Sequence, residues 1–353
     1  MALAGHRPRV AHAGVSAVAA PPAARLVCPH CRGSLREDPS GAACLSCARR
    51  YPRQHGLLDL RVLPDPYLSP EEDGARADAV VAALDRFSLP ELLEHYWSLS
   101  DTTPVALRST FVQAALRAPM RARSLLARME EDGVPLARSR LLDVGSGTGG
   151  FLAEAHGRVA ERAGVDIAMR WLQVSRRRFR DRGQPVPSLA CAGAEHLPFE
   201  DGAFDVVVST ATLEFTRDVD RVLAECARVL RPGGRAYLTA VNRYSLGPEP
   251  HVRLWGVGWL PRAWQAPYVR RRGRGDFSNV RLLSFRDLAR GAARHFAVRE
   301  FHPPRIPEDL RGTFSAVQRL GARVYEAAAG VGALRPLLRW VGPEWEVTLT
   351  KRG

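Results

Sequence analysis

From Arg140 onward the apolar positions alternate between two rhythms. "RLLDVG", "RAGVDIA", "VPSLACAG", "FDVVVST" and "GRAYLTAVN" are short, nearly continuous apolar runs and predict strands. Between them, "MRWLQVSRRRFRDRG" and "DVDRVLAECARVLRPGG" space apolar residues by three and four and predict helices. Strands of this kind, separated by helices, build a parallel sheet with both faces covered. The tail adds a helix in "SFRDLARGAARHF" and a sixth strand in "AVREFH". In "EWEVTLTK", Trp345, Val347 and Leu349 alternate with Glu346, Thr348 and Thr350, the period-two pattern of a half-exposed strand. Upstream, the Pro-rich "LPDPYLSPEED" leads into "DGARADAVVAALDRF", "PELLEHYWSLS" and "FVQAALRAPMRARSLLARMEEDG", which predict two or three helices, with Tyr96 and Trp97 read as helix core and a substrate-facing place as the alternative. The expected class is therefore α/β: a doubly wound sheet over residues 139–353, preceded by a helical segment over 63–138.

Composition changes this picture little. In 353 residues no apolar run approaches the roughly 18 needed for a membrane-spanning helix. The net charge of +14 invites a nucleic-acid reading, but Lys351 is the sole lysine among 51 basic residues. That imbalance points to a GC-rich coding bias rather than selection for phosphate contacts. Residues 1–25 hold no acid and are rich in Ala, Gly and Pro, so they are expected to be disordered. They lack the sustained apolar run of a signal peptide, which favours a cytoplasmic location.

Residues 26–62 hold the first candidate chemistry. Cys28 and Cys31 form one C-x2-C pair, Cys44 and Cys47 a second, with twelve residues between. Two such pairs can converge on one tetrahedral zinc, and so short a segment needs the metal to fold. Two disulfides are the alternative. With a core of its own, the segment is expected to unfold independently of the sheet. Cys191 and Cys226 fall in a strand and a helix and read as inert core thiols.

The second is the turn "LLDVGSGTGGF", which carries two fingerprints. Gly145-x-Gly147-x-x-Gly150 reads as a dinucleotide turn, whereas Asp143 followed by Gly145-x-Gly147-x-Gly149 reads as a turn for S-adenosylmethionine. A pyrophosphate needs only a helix N-terminus, whereas an amino-acid end needs close backbone approach and a nearby carboxylate, which Asp143 supplies. Asp166, 19 residues after Gly147, meets ribose hydroxyls in either case.

The downstream segments "GAEHLPFEDGAFDVVVSTATLEF" and "RVLRPGG" resemble, in order and spacing, the later motifs of class I S-adenosylmethionine-dependent methyltransferases of the methyltransferase-11-like kind. The resemblance covers residues 138–245 and implies a Rossmann-like, seven-stranded sheet. It implies that Asp143, Gly145, Gly147 and Gly149 hold the methionine end, Asp166 the ribose, Ala194 and Glu195 the adenine edge, and that Ser209 lines the pocket floor. One position departs from the family: Gly193 stands where Asp is common before the Ala-Glu pair. The cysteine segment is similar to small zinc ribbons that activate methyltransferases, and to ribbons fused ahead of ribosomal-RNA guanine methyltransferases. The first likeness implies a module packed on the catalytic domain, the second an RNA grip. The Asn-Pro-Pro-Tyr type motif of amino-group methylases is missing, as is the Pro-Cys nucleophile of cytosine C5 methylases.

Residues 243–283 are too long for an idle connection and read as a substrate lid. They carry His251, Tyr244, Tyr268, Trp255, Trp259 and Trp264, followed by Arg270, Arg271, Arg272 and Arg274. Rings suit a flat or lipid-like acceptor and clustered guanidiniums an anionic group. Glu214 and His251 are the candidate catalytic bases. The expected function is methyl transfer from S-adenosylmethionine, with structural zinc, to a small or lipid-like acceptor that can bear an anionic group. An rRNA or tRNA methyltransferase is the second enzyme reading, and a cofactor-binding module without turnover the third.

Overall fold

The computed structural model describes residues 24–100 and 103–353. The stretch expected to be disordered lies outside them except for its last two residues, which are anchored. Ala24 donates its N–H to Glu161 Oε1 at 3.0 Å, and Arg25 pairs with Glu200 at 3.4 Å.

A four-stranded antiparallel sheet comes first, with β1 (Leu35–Asp38), β2 (Gly41–Cys44), β3 (Arg50–Gln54) and β4 (Leu57–Leu58) in sequential order. Three helices follow: α1 (Pro70–Ala83), α2 (Leu89–Ser98) and α3 (Val105–Glu131). Serines start the first two. Ser69 with Glu72 forms a capping box, each bonding the other's N–H, and the Ser88 N–H and hydroxyl both donate to Glu91, each ahead of a proline in the first turn.

The large sheet has the order β10-β11-β9-β8-β5-β6-β7. Its strands are β5 (Arg140–Val144), β6 (Glu161–Asp166), β7 (Ser188–Cys191), β8 (Phe204–Thr210), β9 (Leu230–Val241), β10 (Phe296–His302) and β11 (Glu344–Lys351). Around them lie α4 (Gly150–Glu154), α5 (Met169–Asp181), α6 (Val219–Val229), α7 (Arg262–Arg271), α8 (Phe285–His295), α9 (Glu308–Gly312), α10 (Ala316–Gly330) and α11 (Arg335–Val341). The chain walks outward from β5 through β6 to β7, then returns to β8 and β9 on the other side, all in parallel. This reversal opens a crevice at the carboxyl ends of β5 and β8, where ligands of such sheets sit. Only β11 runs against its neighbours. Contrary to the half-exposed pattern, Glu346 and Thr348 are each 6% exposed. Strand β11 is inserted between β9 and β10 rather than left at an edge, and the segment after β10 covers its second face through the Arg305 N–H on Glu346 Oε1 at 3.3 Å. Burial accordingly pushes the Glu346 carboxyl up to about 7.

The small sheet does not have a core of its own. Cys28, Ala42, Tyr51, Leu58 and Leu60 belong to one buried cluster with Val144, Val165 and Phe204 of the large sheet and Phe199 of the connection before β8. The Leu60 N–H bonds the Cys191 carbonyl at 2.7 Å, and the Val27 N–H bonds that of Pro198 at 2.9 Å. The expectation of an independent unit is therefore corrected: a segment this small buries its apolar residues against the edge strand β7. Among the described residues, no helix is long and apolar enough to cross a membrane.

Candidate functional site

The glycine turn follows β5 directly, and Gly145, Gly147 and Gly149 all have positive φ, at 75°, 50° and 71°. They serve different ends. A Cβ at Gly145 would come within 2.3 Å of Thr212 Oγ1, and one at Gly149 within 2.8 Å of Ser175 Cβ, so both permit tight packing. At Gly147 nothing lies within 4 Å, and this residue opens into the crevice. Asp166, at the end of β6, accepts the Gly147 N–H at 2.8 Å on one oxygen and the Ala168 N–H at 2.9 Å on the other. Burial still pushes its carboxyl up to about 6, with these bonds opposing. Asp143 is buried beneath the turn with Oδ1 unpartnered, and burial followed by the charge of Asp166 pushes it up to about 8.

The turn borders a cavity of about 570 Å³, with Asp143 and Gly149 off its wall. Gly145, Gly147, Asp166, Ala194 and Glu195 lie on its wall. Glu195 spends one oxygen on the Arg217 N–H at 2.8 Å, and the position of Gly193 has room for a side chain, with its nearest neighbour 3.5 Å from an added Cβ. Ser209 is not on the wall, contrary to expectation: its hydroxyl is buried between strands and donates to the Val144 carbonyl at 2.9 Å.

The opposite wall is aromatic and comes from two helices before the sheet together with α5. Tyr96 and Trp97 of α2, Phe111 of α3 and Trp171 of α5 meet with ring centroids 4.4 to 5.6 Å apart. Of the two readings of Tyr96 and Trp97 both apply: they pack among the helices and also line the cavity. One signal was available: neighbouring residues on a helix point about 100° apart, so one apolar stripe does not absorb both rings. Arg170 also reaches this wall, held by Asp65 and Asp73 at 2.6 Å each and by the Tyr96 hydroxyl at 2.9 Å.

The stretch between β9 and α8 closes a third side through His251, Val252, Phe277 and Val280. His251 Nδ1 lies 2.5 Å from Glu249 Oε1, whose other oxygen accepts the His251 and Val252 N–H groups at 2.9 Å each. The His251 Nε2 is 3.8 Å from Glu214 Oε1. Glu214 stands behind the wall, fully buried with neither oxygen hydrogen-bonded, and burial pushes it up to about 7. Burial alone would lower His251, but the bond to Glu249 and the two carboxylate charges raise it on balance. Sequence reasoning missed Glu249, whose role depends on a bend that periodicity does not reveal. The lid rings differ from expectation: Trp255, Trp259 and Trp264 are 65%, 52% and 65% exposed and off the cavity wall. Of the arginine run only Arg274 lines the cavity, while Arg271 and Arg272 are exposed and Arg270 faces Asp276 at 3.7 Å.

The four cysteines of the small sheet converge, with all sulfurs within 4.8 Å of one another. Cys28 and Cys47 are 3.7 Å apart and Cys31 and Cys44 3.4 Å, and all four thiols are free. Although burial opposes it, the N–H groups of Cys47 and Ser46 pull the Cys44 thiol down to about 6. Cys191 and Cys226 are buried elsewhere, and burial pushes both thiols up.

Such a sheet, with a carboxylate-bearing glycine turn at its switch point, defines the class I methyltransferase fold. Residues 142–238 match the family described as Methyltransferase domain, Methyltransf_11, and the chain carries a domain of that family. It is 39% identical over 130 residues to the biotin biosynthesis bifunctional protein BioHC of Cellvibrio japonicus, covering 37% of this chain and 23% of that one. It is 36% identical over 120 residues to the ubiquinone biosynthesis O-methyltransferase of Thiobacillus denitrificans, covering 34% and 51%. With the ubiquinone/menaquinone biosynthesis C-methyltransferase UbiE of Burkholderia mallei it shares 42% over 121 residues, covering 33% and 48%. The chain thus spans 23% to 51% of the length of these relatives.

Proposed function

We propose that this chain is a cytoplasmic S-adenosylmethionine-dependent methyltransferase acting on a small or lipid-like acceptor with an apolar, ring-sized portion. The observation that carries this reading is the continuity of one cavity from Gly147 and Asp166 to the aromatic wall of Tyr96, Trp97, Phe111 and Trp171. The residues fit the cofactor: Gly147 leaves open space, Asp143 keeps an unpartnered oxygen, and Asp166 faces the same space. We assign Asp143 with Gly145, Gly147 and Gly149 to the methionine end, Asp166 to the ribose, and Ala194 and Glu195 to the adenine edge. Ser209 supports the turn from behind. When bound, the cofactor supplies an activated methyl group open to in-line displacement. The chain's own part is to orient the acceptor and exclude water. His251 takes a proton from an acceptor that holds one at neutral pH, with Glu249 fixing the ring and Glu214 sharing the charge. Two relatives named for ubiquinone biosynthesis are consistent with an apolar acceptor.

The four thiols suit a structural zinc. With Zn–S bonds of about 2.3 Å, a tetrahedral ion sets sulfurs about 3.8 Å apart, near the separations found here.

Calorimetry tests the cofactor. S-adenosylmethionine should bind and NAD should not, and Asp166→Ala should cost about 1.5 to 3 kcal/mol, or one to two decades in affinity. With a radiolabelled methyl donor, label should enter an organic-extractable metabolite of a cell extract. Tight NAD binding, or label confined to RNA, would overturn the reading.

A further inference from the structure

Helices α10 and α11 form an excursion between β10 and β11 that contributes little to the core. Of the fifteen residues of α10 only Ala322 is buried, and none of α11 is. Yet α10 carries Val317, Leu320 and Val324 at i, i+3 and i+7, one helical stripe, and these are 80%, 63% and 64% exposed. Past the bend, Leu337 and Trp340 of α11 are 54% and 40% exposed. Leu246, 62% exposed, extends the band, because its N–H bonds the Val341 carbonyl at 3.1 Å.

The charge beside this band has one sign. Arg319, Arg323, Arg335 and Arg339 are all exposed, and among the described residues none of them is in an ion pair. The sole carboxylate in the two helices is Glu326, which Arg311 already neutralises at 2.5 Å. A helix with an apolar stripe, arginines beside it and a tryptophan at its border lies in the plane of a membrane surface, with the rings among the headgroups and the guanidiniums on phosphate. A second copy of the same face is the poorer occupant, because it would set four arginines against four.

We propose that the α10–α11 face docks on the surface of an anionic phospholipid bilayer. The protein would then be peripheral, with its apolar stripe buried at the headgroup boundary and the four arginines providing the preference for negative lipid. This goes beyond the methyltransferase reading and does not depend on it, since the test reads partition and not turnover.

The full chain is sedimented with vesicles of phosphatidylcholine mixed with phosphatidylglycerol, and with vesicles of phosphatidylcholine alone. Binding is expected on the mixed vesicles only, and should weaken as salt is raised. Arg319→Gln with Arg323→Gln should lower partition roughly thirtyfold, from about one decade and a half of electrostatic attraction across two charges. Leu320→Glu with Val324→Glu should abolish it while the thermal unfolding midpoint, which checks the fold, stays unchanged. Equal partition onto neutral vesicles would overturn the proposal, as would no partition onto either. A dimer in the ultracentrifuge that Val324→Glu dissociates, without vesicle binding, would assign the face to a second copy instead.

Discussion

Glu214 sets burial against charge with neither of its oxygens hydrogen-bonded. A carboxylate with no hydrogen-bond partner in a dry position holds its proton, and here the group is pushed from 4.5 up to about 7. A folded state that keeps a proton the unfolded chain has released loses stability as pH rises between those two values. Wild type should therefore become less stable from about pH 4.5 to 7, whereas Glu214→Gln, which carries no charge to bury, should lose Glu214's share of that slope and keep the share of Asp143, Asp166 and Glu346. Urea midpoints across this window check it, and parallel slopes for the two proteins would mean that His251 already balances the charge. The neighbouring residues show what a sequence can convey about a site. Asp143, Gly147 and Asp166 were legible because a turn of fixed geometry dictates residue types at fixed spacing. Glu249 was not, because it acts only where segments remote in sequence approach, and for Trp97 the helical spacing left core and cavity both open.

At the scale of elements, continuous apolar runs and helical spacing marked the strands and helices of the large sheet, since both patterns report burial directly. The pattern misled where burial comes from a neighbour that has no local signature. Strand β11 alternates as a half-exposed strand does, yet both its faces are covered, because the segment after β10 folds back over Glu346. The stretch from β9 to α8 was legible as a site-forming segment, but which of its rings and charges face the cavity was not. Its helix α7 buries Gln265 and Val269 and turns Trp264 and Arg271 outward. Replacing Arg271 and Arg272 together with Gln should therefore leave the acceptor KM within about twofold, as for exposed charges that bind nothing. Arg274→Gln, on the cavity wall, should raise the KM of an anionic acceptor about tenfold with cofactor affinity unchanged. Steady-state kinetics on the three proteins decide this, and a larger effect from the pair than from Arg274 would place the anionic group outside the cavity.

At the scale of the whole molecule the cysteine sheet and the cavity are one mechanical unit. Beyond β4 the chain runs through Asp59 and Leu60, which pair with Cys191 at the edge of the large sheet, and then into a buried ionic chain. Arg61 bonds Asp59 at 2.6 Å and Asp73 at 2.7 Å, and also donates to the Ile167 carbonyl at 3.3 Å, beside Asp166. Asp73 and Asp65 in turn hold Arg170 on the cavity wall. Buried pairs of this kind are costly to break singly, because the partner left behind keeps its desolvated charge. If the four thiols hold zinc, its removal should do more than melt a small sheet. A chelator, or Cys44→Ser, should abolish an equimolar zinc content, lower Tm in a single transition, and weaken S-adenosylmethionine binding about tenfold, or 1.4 kcal/mol, through loosening of Arg61, Asp73 and Arg170. Metal analysis, thermal unfolding and calorimetry on the same samples separate the cases. Zinc loss that melts one part first and leaves cofactor affinity untouched would show that the shared core does not transmit the change. In that event Arg61→Gln, which breaks the ionic chain without touching the metal, should also leave the cofactor affinity as it was.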